Sequence, residues 1–187
     1  MRVISGSARG RTLHPPVGSR VRPTADRVKE AVFSSLASRF GSFAGLNVLD
    51  LFSGSGSLGI EALSRGSKSA VFVDSHPESI RLSRENLQLT GFDKVATLLL
   101  MDAVKALRHL SGQGISFDII LVDPPYADKV MAERVLGLLG ELSLTARDGV
   151  VVFETDNRCE LHPPDRFQLD SRKVYGDTAI WMFCLTD

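Results

Sequence analysis

Apolar runs near residues 47–52, 70–73, 96–100, 117–122 and 149–154 alternate with helical patterns near 56–65, 77–90, 103–110 and 128–140. Short apolar runs separated by helix-length segments pair through crossovers, so the chain is committed to βαβ units and a mostly parallel sheet. Two last strand patterns, 167–175 and 178–185, are separated only by Gly176-Asp177, a two-residue turn that forces an antiparallel hairpin. The expected fold is α/β: a doubly wound, mostly parallel, Rossmann-like seven-stranded sheet with an antiparallel C-terminal hairpin. At 187 residues the chain is long enough for one such sheet between helix layers. Ahead of it, Arg2 to Ile4 and Arg11 to Leu13 flank a glycine-punctuated stretch consistent with a small β-hairpin. A helix follows from about Thr24 to Arg39, with Val28, Ala31, Val32, Leu36 and Phe40 on one face. The expected organisation is therefore a basic arm over residues 1–25 and a core domain over 26–187.

Acids stand at the ends of these strands, and in an open α/β sheet the carboxyl ends of the strands line the ligand crevice. After the first strand the chain reads Asp50-Leu51-Phe52-Ser53-Gly54-Ser55-Gly56, and Gly59 completes a dinucleotide-type glycine pattern. Asp74 closes the second strand, where a carboxylate accepts hydrogen bonds from ribose hydroxyls. A nicotinamide cofactor competes for this pattern. Against it, the charge of Asp50 at the loop mouth opposes a pyrophosphate, whereas S-adenosylmethionine has no phosphate and carries a sulfonium and an ammonium. Asp102, with Ala103 after it, follows the third strand. It serves either as an acceptor for the adenine amino group or as the N-cap of the next helix. Thr24, beside Arg22, Asp26 and Arg27 at the start of the first helix, lies where free N–H groups meet a methionine carboxylate or an RNA phosphate.

The fourth strand runs into Asp123-Pro124-Pro125-Tyr126. Amino groups on heteroaromatic rings or amides are poor nucleophiles until acceptors hold their N–H groups, and the Asp123 carboxylate and Pro124 carbonyl are such acceptors. Two prolines stiffen the turn and leave carbonyls free to point inward, and Tyr126 offers a stacking face. The plainer reading is a β–α turn in which Pro-Pro ends the strand and Asp123 or Asp128 caps a helix. With the glycine loop and the other strand-end acids, the pattern reads as an amino-methyltransferase.

The order of further blocks narrows this. Arg2-Val3-Ile4-Ser5-Gly6, Arg9-Gly10-Arg11, Arg22-Pro23-Thr24, Asp26-Arg27-Val28-Lys29-Glu30-Ala31, the glycine loop, Glu61-Ala62-Leu63-Ser64-Arg65-Gly66, Asp123-Pro124-Pro125-Tyr126 and Tyr175-Gly176 span nearly the whole chain. In these blocks the chain resembles the RsmD family, which methylates the exocyclic N2 of one guanine in 16S ribosomal RNA. It departs at Asp74, where the family often places glutamate, and at Ser57, where alanine is common. The resemblance implies a methyltransferase sheet with its terminal hairpin and S-adenosylmethionine as methyl donor. It also implies 16S ribosomal RNA as partner, in a 30S or pre-30S particle. Asp123, Pro124, Pro125 and Tyr126 would be catalytic. Asp50, Phe52, Ser53, Gly54, Ser55, Gly56, Asp74, Asp102, Ala103 and Thr24 would hold the cofactor. The same proline motif serves adenine N6 in DNA and glutamine side chains, so those substrates stay open, with a nicotinamide-dependent oxidoreductase as a remote alternative.

Charge bears on the partner. Twenty-two basic and twenty-two acidic residues cancel, yet residues 1–25 hold Arg2, Arg9, Arg11, Arg20 and Arg22 and no acid. A local basic footprint of this kind suits RNA phosphates, and arginine suits them better than lysine; Arg27 extends it. A solvated tail is the plain alternative. Neither an apolar span of membrane length nor the apolar core of a signal peptide is present, so a cytoplasmic protein without membrane partners is expected. Cys159 and Cys184 and the four histidines have no metal-ligand spacing, so reduced cysteines and no metal are expected.

Overall fold

The computed structural model describes residues 1–16, 23–124 and 129–186, with the side chains of residues 23–25 outside that description. Helix α1 (Pro23–Phe40) leads into β1 (Asn47–Leu51), α2 (Ser57–Ser64), β2 (Ser69–Asp74), α3 (Pro77–Thr90), β3 (Ala96–Leu100) and α4 (Ala103–Ser111). Then come β4 (Phe117–Val122), α5 (Lys129–Glu141), β5 (Thr145–Asp156), β6 (Phe167–Tyr175) and β7 (Thr178–Leu185). The seven strands form one sheet in the order β3-β2-β1-β4-β5-β7-β6. All neighbours from β3 to β5 are parallel, and β7 pairs antiparallel with both β5 and β6. Tyr175 pairs with Thr178 around the expected two-residue turn, whose Gly176 takes φ 62°.

Because both faces of the central strands are covered, alternate residues supply two separate cores. Leu49, Leu51, Ile120, Val122, Val151 and Phe153 pack under α4 and α5, while Val48, Ile119, Leu121, Val150 and Val152 pack under α1 and α2. Strand order reverses between β1 and β4, and such a switch point opens the crevice into which ligands fit.

Element positions follow the sequence pattern closely, with β5 the main exception. It starts at Thr145, four residues before its apolar run, because Arg147-Asp148-Gly149 interrupts the hydrophobic signal and the register to β4 shifts between Phe117 and Ile119. Gly149 is required there, since a Cβ would lie 2.9 Å from the Ala146 carbonyl oxygen.

The N-terminal arm is less of a hairpin than expected. Arg2 and Thr12 form one isolated antiparallel bridge, supported by Val3 N–H donating to the Arg11 carbonyl and Leu13 N–H to that of Met1. Nor are residues 1–16 a solvated tail. Val3, Ala8 and Leu13 are buried in the same core as Phe33, Leu36 and Ile60. Gly6, at φ 85°, presses so close to the Ser64 carbonyl that no side chain fits.

Candidate active site

At the switch point a cavity of about 370 Å³ lies between the carboxyl ends of β1, β4 and β5 and the N-terminal half of α1. The turn off β1 is strained: Phe52 has φ 60°, alone among the described non-glycine residues in being positive, a conformation that costs on the order of 1 kcal/mol or more. Gly54 and Gly56 follow in the same region of φ. Gly59 has a packing role, since a Cβ would sit 2.3 Å from the Phe72 ring. This glycine lets α2 settle directly on the sheet.

The loop is held in place from below. Gly54 N–H donates to Asp74 (3.0 Å), whose other oxygen accepts from His76 N–H (2.9 Å). Ser83 Oγ donates to the Gly54 carbonyl and Asn86 Nδ2 to that of Ser55, both at 2.9 Å. Asp50 lies beneath the loop and not at its mouth. It is 2% exposed, accepts from Gly59 N–H at 2.8 Å, and is pushed up to about 7, mainly by burial, with the Asp74 charge adding to the rise and the Gly59 bond opposing it. Burial thus favours its neutral form, in place of the fixed charge at the loop mouth that the strand-end reading assumed. Asp102 caps α4 through Val104 N–H (3.0 Å) and Lys105 N–H (3.3 Å), with Ala103 opening the helix. The capping reading of that residue is thus realised.

Asp123 leaves β4 into the cavity wall, its N–H donating to the Leu51 carbonyl at 3.4 Å, and Pro124 behind it is buried. Burial, then the charges of Glu154 and Asp50, push the Asp123 carboxyl well above the usual carboxylate range. Pro125 and Tyr126 lie outside the described residues, as do Arg20, Arg22 and the side chain of Thr24. Arg9, Arg11 and Arg27 are exposed, and Arg2, also exposed, reaches to 3.9 Å from Asp26.

Residues 1–184 match the model of the family described as Conserved hypothetical protein 95. Ribosomal RNA small subunit methyltransferase D of Haemophilus influenzae is 32% identical over 177 residues, covering 94% of this chain and 89% of that one. The chain belongs to the RsmD family of methyltransferases. YlbH of Bacillus subtilis is 38% identical over 184 residues, 98% of each chain. Among solved structures, YhhF of Escherichia coli superposes with a TM-score of 0.83 at 30% identity, over 99% of this chain and 97% of that one.

In this RsmD-family chain, blocks far apart in sequence meet in one buried cluster beside the cavity. Glu61, fully buried on α2, accepts from Ile4 N–H (2.7 Å), Ser5 N–H (3.0 Å) and Arg65 Nε (2.8 Å). Lys29, 4% exposed, donates to the Arg2 carbonyl (2.7 Å) and Ser57 Oγ (3.0 Å), and lies 3.9 Å from Glu61. Asn86 joins the arm to the glycine loop, since its amide also contacts His14 N–H and carbonyl at 2.8 and 3.1 Å. Site reasoning from sequence missed Lys29, Glu61, Asn86 and Glu154. The available signal was a charge on an apolar helix face: Lys29 sits between Val28 and Val32, and Glu61 between Ile60 and Leu63.

Proposed function

We propose that this chain transfers a methyl group from S-adenosylmethionine to the exocyclic N2 of a guanine in 16S ribosomal RNA, presented in a 30S or pre-30S particle. One observation carries the reading: β4 delivers Asp123 to the wall of the cavity that the glycine loop of β1 also borders, with Pro124 next along the chain and buried. The residues present suit this cofactor. Acids dominate the walls around the loop, favouring a cation over a phosphate, and the Ser53 hydroxyl, buried beside the loop, has no partner among the described residues. When bound, S-adenosylmethionine supplies an electrophilic methyl group on its sulfonium. Asp74 and the Gly54–Gly56 backbone would take its ribose side, Ala103 and the Asp102 Oδ2 that the α4 cap does not use its adenine, and Thr24 with the start of α1 its carboxylate.

The target guanine must leave any stack, at a cost of a few kcal/mol. Asp123 and the Pro124 carbonyl then accept from the N2 amino group, with Tyr126 stacked on the ring. Fixing nitrogen in line with the methyl carbon supplies about 7 kcal/mol or more of barrier lowering in well-aligned cases. The proton that N2 releases leaves to the ionised Asp123 carboxylate or to water. Arg2, Arg9, Arg11, Arg20, Arg22 and Arg27 would hold RNA phosphates.

The test is nucleoside mass spectrometry of small-subunit particles lacking this modification, after incubation with the protein and isotope-labelled S-adenosylmethionine. Labelled N2-methylguanosine is the expected product. Labelled N6-methyladenine in a parallel DNA sample, with unlabelled RNA, would overturn the reading.

A further inference from the structure

Of the four acids that line the cavity, Asp26, Asp50, Asp123 and Glu154, the last stands beside Asp123 and has no task in the transfer as described. Val122 pairs with Phe153 across the parallel β4–β5 ladder, so Asp123, just past the end of β4, stands beside Glu154, two residues short of the end of β5. Both line the cavity, and so do Leu121 and Val152, two residues earlier on the same strand faces. The Ser53 hydroxyl, on a residue 8% exposed and without a partner among the described residues, borders the same space.

We propose that Glu154 determines base specificity, accepting the N1–H of the target guanine beside the N2 amino group held by Asp123 and Pro124. This rests on the guanine-N2 reading. Guanine is the purine whose edge presents two adjacent donors, N1–H and N2–H; adenine and 2,6-diaminopurine present a lone pair at N1. Neighbouring strands lie about 4.8 Å apart, so the two carboxylates repel when both are ionised. An edge of two N–H groups relieves that repulsion, and a lone pair at N1 adds to it. The raised proton affinity of Asp123, to which the Glu154 charge contributes after burial, is consistent with such a pair. Asp50 from β1 and Asp26 and Lys29 from α1 border the same cavity, and none of them adjoins Asp123 across the β4–β5 ladder as Glu154 does.

The experiment uses full-length protein and small-subunit particles assembled on 16S RNA carrying either guanine or 2,6-diaminopurine at the methylated position. Both bases offer the same 2-amino group, so the comparison isolates N1. The wild type is expected to favour guanine by roughly 10- to 100-fold in kcat/KM, the range of a good paired base contact. E154Q should lose or reverse that preference, because its amide donates to the diaminopurine N1, and near-UV circular dichroism matching the wild type would show that it is folded. E154D, which keeps the charge and shortens the reach, should lose activity on guanine and still disfavour diaminopurine. An unchanged base ratio in E154Q, or equal use of both bases by the wild type, overturns the proposal. A wild type that methylates neither particle overturns the guanine-N2 reading itself, and the proposal with it.

Discussion

Asp50 illustrates how burial alone changes what a carboxylate contributes. Its carboxyl rises from 3.8 to about 7 on folding, so the folded protein holds a proton there that the unfolded chain releases. Stability from this group is complete below about pH 4 and is lost as pH rises through about 7. Asp50→Asn should therefore flatten the decline in urea midpoint across that window; an unaltered decline would show that Asp50 does not titrate there. A bound sulfonium favours the ionised form, so affinity for S-adenosylmethionine should rise between about pH 6 and 7.5 more steeply than that for S-adenosylhomocysteine, which lacks the sulfonium charge. Calorimetry at several pH values checks this. At Asp123 the informative change is to Asn, since an amide still accepts a hydrogen bond but cannot take a proton. Residual methyl transfer in folded Asp123→Asn, with none in Asp123→Ala, would identify acceptance as the main role, and equal loss in both would identify proton removal. Glu61→Ala leaves Lys29 without its buried counter-charge and strands the Ile4 and Ser5 amides. A loss of about 3 to 5 kcal/mol is expected, read from chemical denaturation.

Among the elements, the arm joins packing to function. Its apolar residues face the core and Arg9 and Arg11 face solvent, so the two roles can be separated by mutation. Replacing Arg9 and Arg11 together with glutamine should reduce the salt slope of particle binding by roughly 0.7 to 0.9 for each lost phosphate contact, with stability unchanged. Deleting residues 1–13 is a different experiment, because it uncovers Phe33 and Leu36 and leaves Glu61 without two of its donors. A lower denaturation midpoint is the expected result, and a midpoint equal to that of the full chain would show the arm to be dispensable. The arm was legible in sequence as a basic stretch but not as a packed element. Among its described residues only Val3, Ala8 and Leu13 are buried apolar anchors, too few and too irregular to register as a period. Asn86, which fastens it to the glycine loop, was invisible for a similar reason: a polar residue within α3 reads as solvated until its partners are known.

For the whole molecule, the mix of parallel and antiparallel pairing follows from local signals read together. Alternating strand and helix patterns require parallel crossovers, the turn at Gly176-Asp177 requires a terminal hairpin, and both are present in the seven-stranded sheet. Strand-end acids with a glycine loop also marked the crevice, because in a doubly wound sheet the carboxyl ends converge wherever the strand order reverses. The sequence by itself thus determined the fold class and the family, both of which depend on periodicity and on residues close together in the chain. Tertiary structure decided what each acid does. Asp50 and Asp102 had similar sequence contexts at strand ends, yet one is buried under a helix amide and the other caps α4. Glu154 had no sequence signal and becomes a neighbour of Asp123 only through the β4–β5 register. Ionisation, pairing and burial depend on groups brought together from distant parts of the chain, so they are properties of the folded protein and not of any local segment.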